Sequence, residues 1–238
     1  NALKALEIDE GNQIANTALS LIKMMYDWDW KGAEEYIKKC IDLYPGATGA
    51  YENYAWILLF TGRIQEMVDI QDISRELDPL SESKMQNDGE RLYYARRYDE
   101  AIKASLDAIE LNPNYAESRV YLGLSYIKKG LNVKALEVLE EELKLFGYGR
   151  PEIDQMIGTA FAMAGAHARA REVLDFLLET SRDRWVPPSR IANIYFALGE
   201  DDLGFEWLER AFAEHDPTLP FIKVDPVYDR LNSDPGYI

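Results

Sequence analysis

The stretch GERLYYARRYDEAIKASLDAIELNP, residues 89–113, decides how this chain folds. Gly89 and Leu92 stand three apart, nearly one helical turn, so they share a face. Ala101 follows Gly89 by twelve positions, after the break Arg96-Arg97-Tyr98, and Pro113 closes the run. Proline disfavours helix at the residue before it and cannot continue one. Two helices joined by a short turn account for all of these features, with Gly89 and Ala101 as the small residues that let them approach closely.

The same spacing repeats in both directions. Anchors equivalent to Ala101 are Ala33, Met67, Ala135, Ala170 and Gly204, at intervals of 34, 34, 34, 35 and 34. Twelve before most of them stand Ala55, Gly123, Gly158 and Ala192, each followed three later by Leu58, Tyr126, Phe161 and Tyr195. Gly62, Gly130, Gly165 and Gly199 mark the inner turns, and Tyr44-Pro45 and Asp78-Pro79 precede Asn112-Pro113 by 68 and 34. The first hairpin joins this register if its turn, Tyr26-Asp27-Trp28-Asp29-Trp30, is one residue longer. A fixed period of 20 to 50 residues marks a solenoid, in which each unit buries its apolar stripe only against its neighbours.

The pattern resembles the tetratricopeptide repeat (TPR). That resemblance implies an all-α chain, an α-α superhelix of about six helix pairs over residues 11–217. Residues 1–10 read as the end of a preceding, truncated repeat helix. Residues 218–238 place Asp225-Pro226 and Asp234-Pro235 in an apolar frame and read as a C-terminal cap over the last hairpin.

In the TPR family the first helix of every pair lines the concave groove, and the register then assigns the groove positions. They are Met24, Glu52, Trp56, Leu59, Phe60, Gln86, Glu90, Tyr93, Tyr94, Leu124, Ile127, Thr159, Met163, Asn193 and Phe196. This aromatic, Met-rich set with few charges suits capture of a protein segment through apolar anchors, Trp56, Phe60, Tyr93 and Tyr94 foremost. The competing reading is that such a stripe packs inside the array. TPR domains that grip acidic chaperone tails carry Lys, Asn and Arg at these positions. Here only Asn193 matches in kind, which speaks against a carboxylate-tail ligand.

Acidic residues outnumber basic ones 42 to 26, for a net charge of −16, with 22 against 13 up to Arg119 and 20 against 13 after it. No half is basic, so a phosphate-backbone footprint is not expected. A single cysteine, Cys40, excludes an internal disulfide and stands where a buried spacer is wanted, which together with the lack of Cys/His clusters points to a reducing, cytoplasmic setting. No run of 18 apolar residues suggests a membrane span.

Neither His167 nor His215 has a nucleophile or orienting carboxylate nearby in sequence, so no enzyme, cofactor or metal is expected. Glu140-Glu141-Glu142 reads as a solvated helix face. Trp28 and Trp30 would form a recognition patch if both were exposed.

The Tyr26–Trp30 turn, the 92–101 stretch and Val186-Pro187-Pro188-Ser189 with the tail also resemble TPR arrays of bacterial signalling proteins. Those arrays follow adenylate or guanylate cyclase, winged-helix regulator or serine/threonine kinase domains. The implied role is a regulatory module that binds a peptide, a partner domain or its own output domain. The alternative is a structural, homodimerising module with no peptide ligand.

Overall fold

The computed structural model describes residues 2–79 and 81–231, leaving aside the side chains of 82–86. Residues 232–238, the last part of the expected cap, and the side chain of Gln86 lie outside the described residues. No strand occurs among the described residues, and two compact units are present, 1–84 and 85–238.

The first unit contains α1 (Ala2–Ile8), α2 (Gln13–Met25), α3 (Trp30–Leu43), α4 (Thr48–Phe60) and α5 (Ile64–Leu77). Asn12 caps α2 by accepting from the Ala15 amide at 3.0 Å, and Asp29 caps α3 by accepting from Gly32 at 2.9 Å. Each satisfies one of the donors that a helix start leaves open. The small residues Ala33 and Ala55 are fully buried between helices, as is Cys40. Loop 26–29 is one residue longer than loop 61–63.

One polar knot ties α3, α4 and α5 together. Glu34 accepts two hydrogen bonds from Arg63 (2.8 and 2.9 Å), one from the Tyr54 hydroxyl (3.0 Å) and one from Lys38 (2.6 Å). Desolvation pushes the Glu34 carboxyl upward, but these donors outweigh it and hold the pKa down at about 2.

The second unit begins within α6 (Glu82–Tyr94) and contains α7 (Tyr98–Leu111), α8 (Ala116–Lys128), α9 (Asn132–Phe146), α10 (Pro151–Met163), α11 (His167–Thr180), α12 (Pro188–Leu198) and α13 (Asp201–Ala213). Two 3-10 helices follow, Leu219–Lys223 and Pro226–Leu231. Consecutive helices pair as hairpins, and α8, α10 and α12 also stack on one another, forming an inner face of first helices. A Cβ built on Gly204 would lie 2.6 Å from the buried ring of Phe196, so the α12–α13 approach requires glycine there.

The inner turns share one backbone device. Gly62, Gly130, Gly165 and Gly199 all adopt a left-handed φ of 75–83° five residues before their anchors. Trp28 and Arg96 occupy the equivalent place in the other two turns at φ 55° and 60°, a conformation that disfavours a side chain.

Glu142 departs from the expectation of a solvated face. Glu140 and Glu141 are exposed, but Glu142 is fully buried, 2.8 Å from Arg150 and 3.5 Å from Arg119. Trp28 and Trp30 are half-buried, and Trp30 packs on Phe60 at 5.7 Å, so they do not form an exposed pair.

Candidate functional site

The site is the inner face of the second unit, together with the segment that lies on it. From α6 come Glu90, Tyr93 and Tyr94; from α8, Tyr121, Leu124 and Ile127; from α10, Gln155, Thr159 and Met163; from α12, Arg190, Asn193 and Phe196. The rings of Tyr93, Tyr94 and Tyr121 form a cluster with centroids 5.3–5.8 Å apart. The Tyr94 and Tyr121 hydroxyls are 3.2 Å apart, and Tyr121 donates to Glu90.

Residues 219–231 occupy this face. Phe221 packs against Tyr94 at 5.3 Å and beneath the Arg190 guanidinium at 4.8 Å. The Asn193 amide donates to the Asp225 carboxylate at 3.1 Å and its oxygen accepts from the Tyr228 hydroxyl. Tyr228 also meets the Phe196 ring edge at 5.3 Å, and Val227, Tyr228 and Leu231 share a buried cluster with Ala192 and Phe196. Arg96 donates to the Val224 carbonyl and to Asp229, which Lys128 approaches at 3.6 Å. Arg230 closes the far end on Asp201 and the Phe196 carbonyl.

The expected cap over the last hairpin therefore reaches much further. It runs from α13 across α12 to the end of α8 and the α6–α7 turn.

Electrostatics follow from this enclosure. Burial raises the carboxyl pKa of Glu90 against the Tyr121 hydrogen bond and the charges of Arg190 and Arg91. Burial likewise raises Asp225, although the Val227 amide, Arg190 and Arg96 oppose it. The Tyr93, Tyr94 and Tyr121 hydroxyls are shifted upward by desolvation, and half-buried Tyr98 to about 12. A residual cavity of ≈ 20 Å³ lies among Tyr93, Gln155, Arg190, Asn193 and Asp225, room for a single water. Outside it, Ile127 and Met163 line an open cleft of ≈ 400 Å³ beside Pro226 and Asp229.

No described member of the expected groove set is exposed. Tyr93, Tyr94, Leu124, Thr159, Asn193 and Phe196 are buried, while Glu90, Ile127 and Met163 are half-buried. In the first unit Met24, Leu59 and Phe60 are buried, and Trp56 is half-buried and stacked on Phe60 at 5.8 Å. Glu52, also half-buried, accepts from Ser74 on α5 at 2.8 Å. The set thus packs inside the units or beneath the tail. The sequence reading missed Tyr121 and Arg190, yet each lies three residues before an assigned position, Leu124 and Asn193, hence on the same helical face.

Among the described residues no helix is long and apolar enough to cross a membrane, and no group of three or more His, Cys, Asp and Glu is placed to hold a metal ion.

Residues 88–150 match the family model described as tetratricopeptide repeat. No curated protein matches the chain. Among solved structures, the thermophilic TPR protein TTC0263 of Thermus thermophilus is similar at a TM-score of 0.62 and 16% identity, over 84% of this chain and 99% of that one. PilF of Pseudomonas aeruginosa is similar at a TM-score of 0.57 and 19% identity, over 95% and 98%. YrrB, a TPR protein with an unusual peptide-binding site, is similar at a TM-score of 0.50 and 18% identity, over 78% and 94%. At these identities the likeness is one of fold, while the sequence match over 88–150 falls on the stretch from which the period was read. The chain folds as a tetratricopeptide repeat array, and residues 88–150 carry that family's sequence pattern.

Proposed function

We propose that this chain is a non-catalytic interaction scaffold that holds a polypeptide segment on its first-helix face. The observation that carries the reading is the seating of residues 219–231 on the second unit, through ring contacts, a cation on an aromatic face and an amide on a carboxylate. A surface that holds one extended segment in this way has the chemistry to hold another. The peptide-binding site named for YrrB lends support by analogy of fold. On the resemblance to arrays in bacterial cyclases, regulators and kinases, the scaffold is the regulatory part of a cytoplasmic signalling protein, and its partner is a protein or its own output domain.

A photo-crosslinking residue at Met163, on the cleft, compared with one at Val133, 72% exposed on α9, tests this in the native cell. A discrete partner adduct from Met163 alone is expected. Equal adducts from both positions, or none, would refute the reading.

Homo-oligomerisation is the second reading. Ile14, Leu21 and Ile22 on α2 are 82%, 39% and 48% exposed, and their i, i+7, i+8 spacing puts them on one face. Sedimentation velocity that stays monomeric across a hundredfold concentration range would exclude it.

A further inference from the structure

We propose that residues 219–231 are a built-in occupant of the inner face of the second unit, and that a partner's segment of the same chemistry takes their place. That segment carries an aromatic residue, an aspartate four positions on and a tyrosine three beyond it, the pattern of Phe221, Asp225 and Tyr228. The inference rests on the scaffold reading and names the kind of partner it takes.

Three features set this contact apart from a plain cap. A cap needs only apolar complementarity, whereas here each key side chain of the segment has its own receptor group: Tyr94 and Arg190 for Phe221, Asn193 for Asp225, Asn193 and Phe196 for Tyr228. In a chain of net charge −16, three cations, Arg96, Lys128 and Arg190, converge on this one segment. Finally, Arg96 stands at φ 60° where four sibling turns use glycine, and its guanidinium donates to the Tyr94 carbonyl, the Val224 carbonyl and Asp229, tying that turn to the segment.

The occupant is also an imperfect one, which makes exchange possible. Beneath it Tyr93 Oη, Gln155 Oε1 and Arg190 Nε are buried without a protein hydrogen-bond partner, and all three residues line the ≈ 20 Å³ cavity. The tail leaves these groups to the one water the cavity has room for, so a segment whose own polar atoms reach them makes direct hydrogen bonds that the tail does not. The rim pair Arg96–Asp229 is about 40% exposed on both sides, so water competes for this anchor and the segment can be released from that end. The tail's advantage is its tether, which supplies an effective concentration on the order of millimolar.

The test uses the full chain and a fluorescein-labelled synthetic peptide of residues 218–231, followed by anisotropy. Phe221→Ala with Tyr228→Ala loosens the resident segment. The loosened chain is expected to bind the peptide at least ~10-fold more tightly than the wild type. Adding Asn193→Ala to the chain, or Asp225→Ala to the peptide, is expected to remove that gain.

A loosened chain with wild-type helical circular dichroism that ignores the peptide would overturn the proposal. So would binding that survives Asn193→Ala, equal binding of a scrambled peptide, or conversion to a dimer in which a second copy supplies the segment. If the double variant fails to fold, Arg96→Gly restores the residue of the sibling turns while removing one anchor; it is expected to bind the peptide more tightly than wild type, and no gain refutes the proposal. Should the peptide fail while Met163 still yields a partner adduct, the scaffold reading stands and only this inference falls.

Discussion

The guanidinium of Arg96 and the carboxylate of Asp229, 133 positions apart in sequence, meet at 2.5 Å. Arg96 follows the first helix of the third pair in a turn whose counterparts carry glycine, and Asp229 belongs to the final 3-10 helix. The contact joins a repeat position, fixed by the period, to a tail that has no period at all. The behaviour of the second unit follows from that junction.

Asn193 is the hub of the junction, donating to Asp225 and accepting from Tyr228. Asn193→Ala removes one hydrogen bond from the buried Asp225 carboxylate and one from the buried Tyr228 hydroxyl. Denaturant unfolding is expected to report a loss of about 1–3 kcal/mol. Asn193→Asp should cost more, since it sets two carboxylates against each other.

The small residues of the repeat are not equivalent. Alanine at Gly123 would place its Cβ 3.1 Å from the tip of Leu139, which can shift, whereas at Gly204 it would meet the Phe196 ring at 2.6 Å, wedged against Phe205 and Tyr228. Alanine also gains about 1 kcal/mol of helix propensity over glycine. Gly123→Ala should leave the melting temperature within a few degrees of wild type, and Gly204→Ala should cost about 1–3 kcal/mol by overpacking.

Glu142 holds Arg119 and Arg150 from a fully buried position. Glu142→Leu strands the Arg119 guanidinium, 8% exposed, and is expected to cost about 3–5 kcal/mol in chemical denaturation. Combining it with Arg119→Met should recover most of that loss, because an apolar pair of similar volume needs no counter-charge.

The first unit carries a defined acid sensitivity. The Glu34 pKa lies at about 2, below its ordinary 4.5, so its contribution is complete above pH 4.5 and is lost as pH falls towards 2. Thermal melts between pH 5 and 2 should show a loss of about 1–2 kcal/mol across that window, allowing for partial solvent screening. In Glu34→Gln this step should be absent, and a variant that keeps it would assign the acid sensitivity elsewhere.

The sequence announced the hairpins because their requirement is local and periodic. Small residues such as Ala33, Ala101 and Gly204 must recur wherever helices touch, and a turn five residues earlier needs a left-handed backbone. Burial of Glu142 was not legible, since it depends on Arg119 arriving from α8 and Arg150 from the turn before α10. The place of 219–231 was hidden for a related reason: Asp-Pro turns mark breaks but carry no address. The place of Tyr93 and Tyr94 on α6 follows from the period, whereas the segment that covers Tyr94 has no period to announce it. Arg190 was within reach of the register, three residues before Asn193, had the whole face been counted.

Hydrogen–deuterium exchange of residues 219–231 in the wild-type chain bears most directly on the claim that the inner face is filled by its own tail. The amides of Val224, Asp225 and Tyr228 each donate within the segment, at 2.9, 2.8 and 3.1 Å. Exchange slowed by a hundredfold or more relative to an open chain is expected at these amides, with protection falling in Asn193→Ala. Exchange at open-chain rates in the wild type would contradict the account.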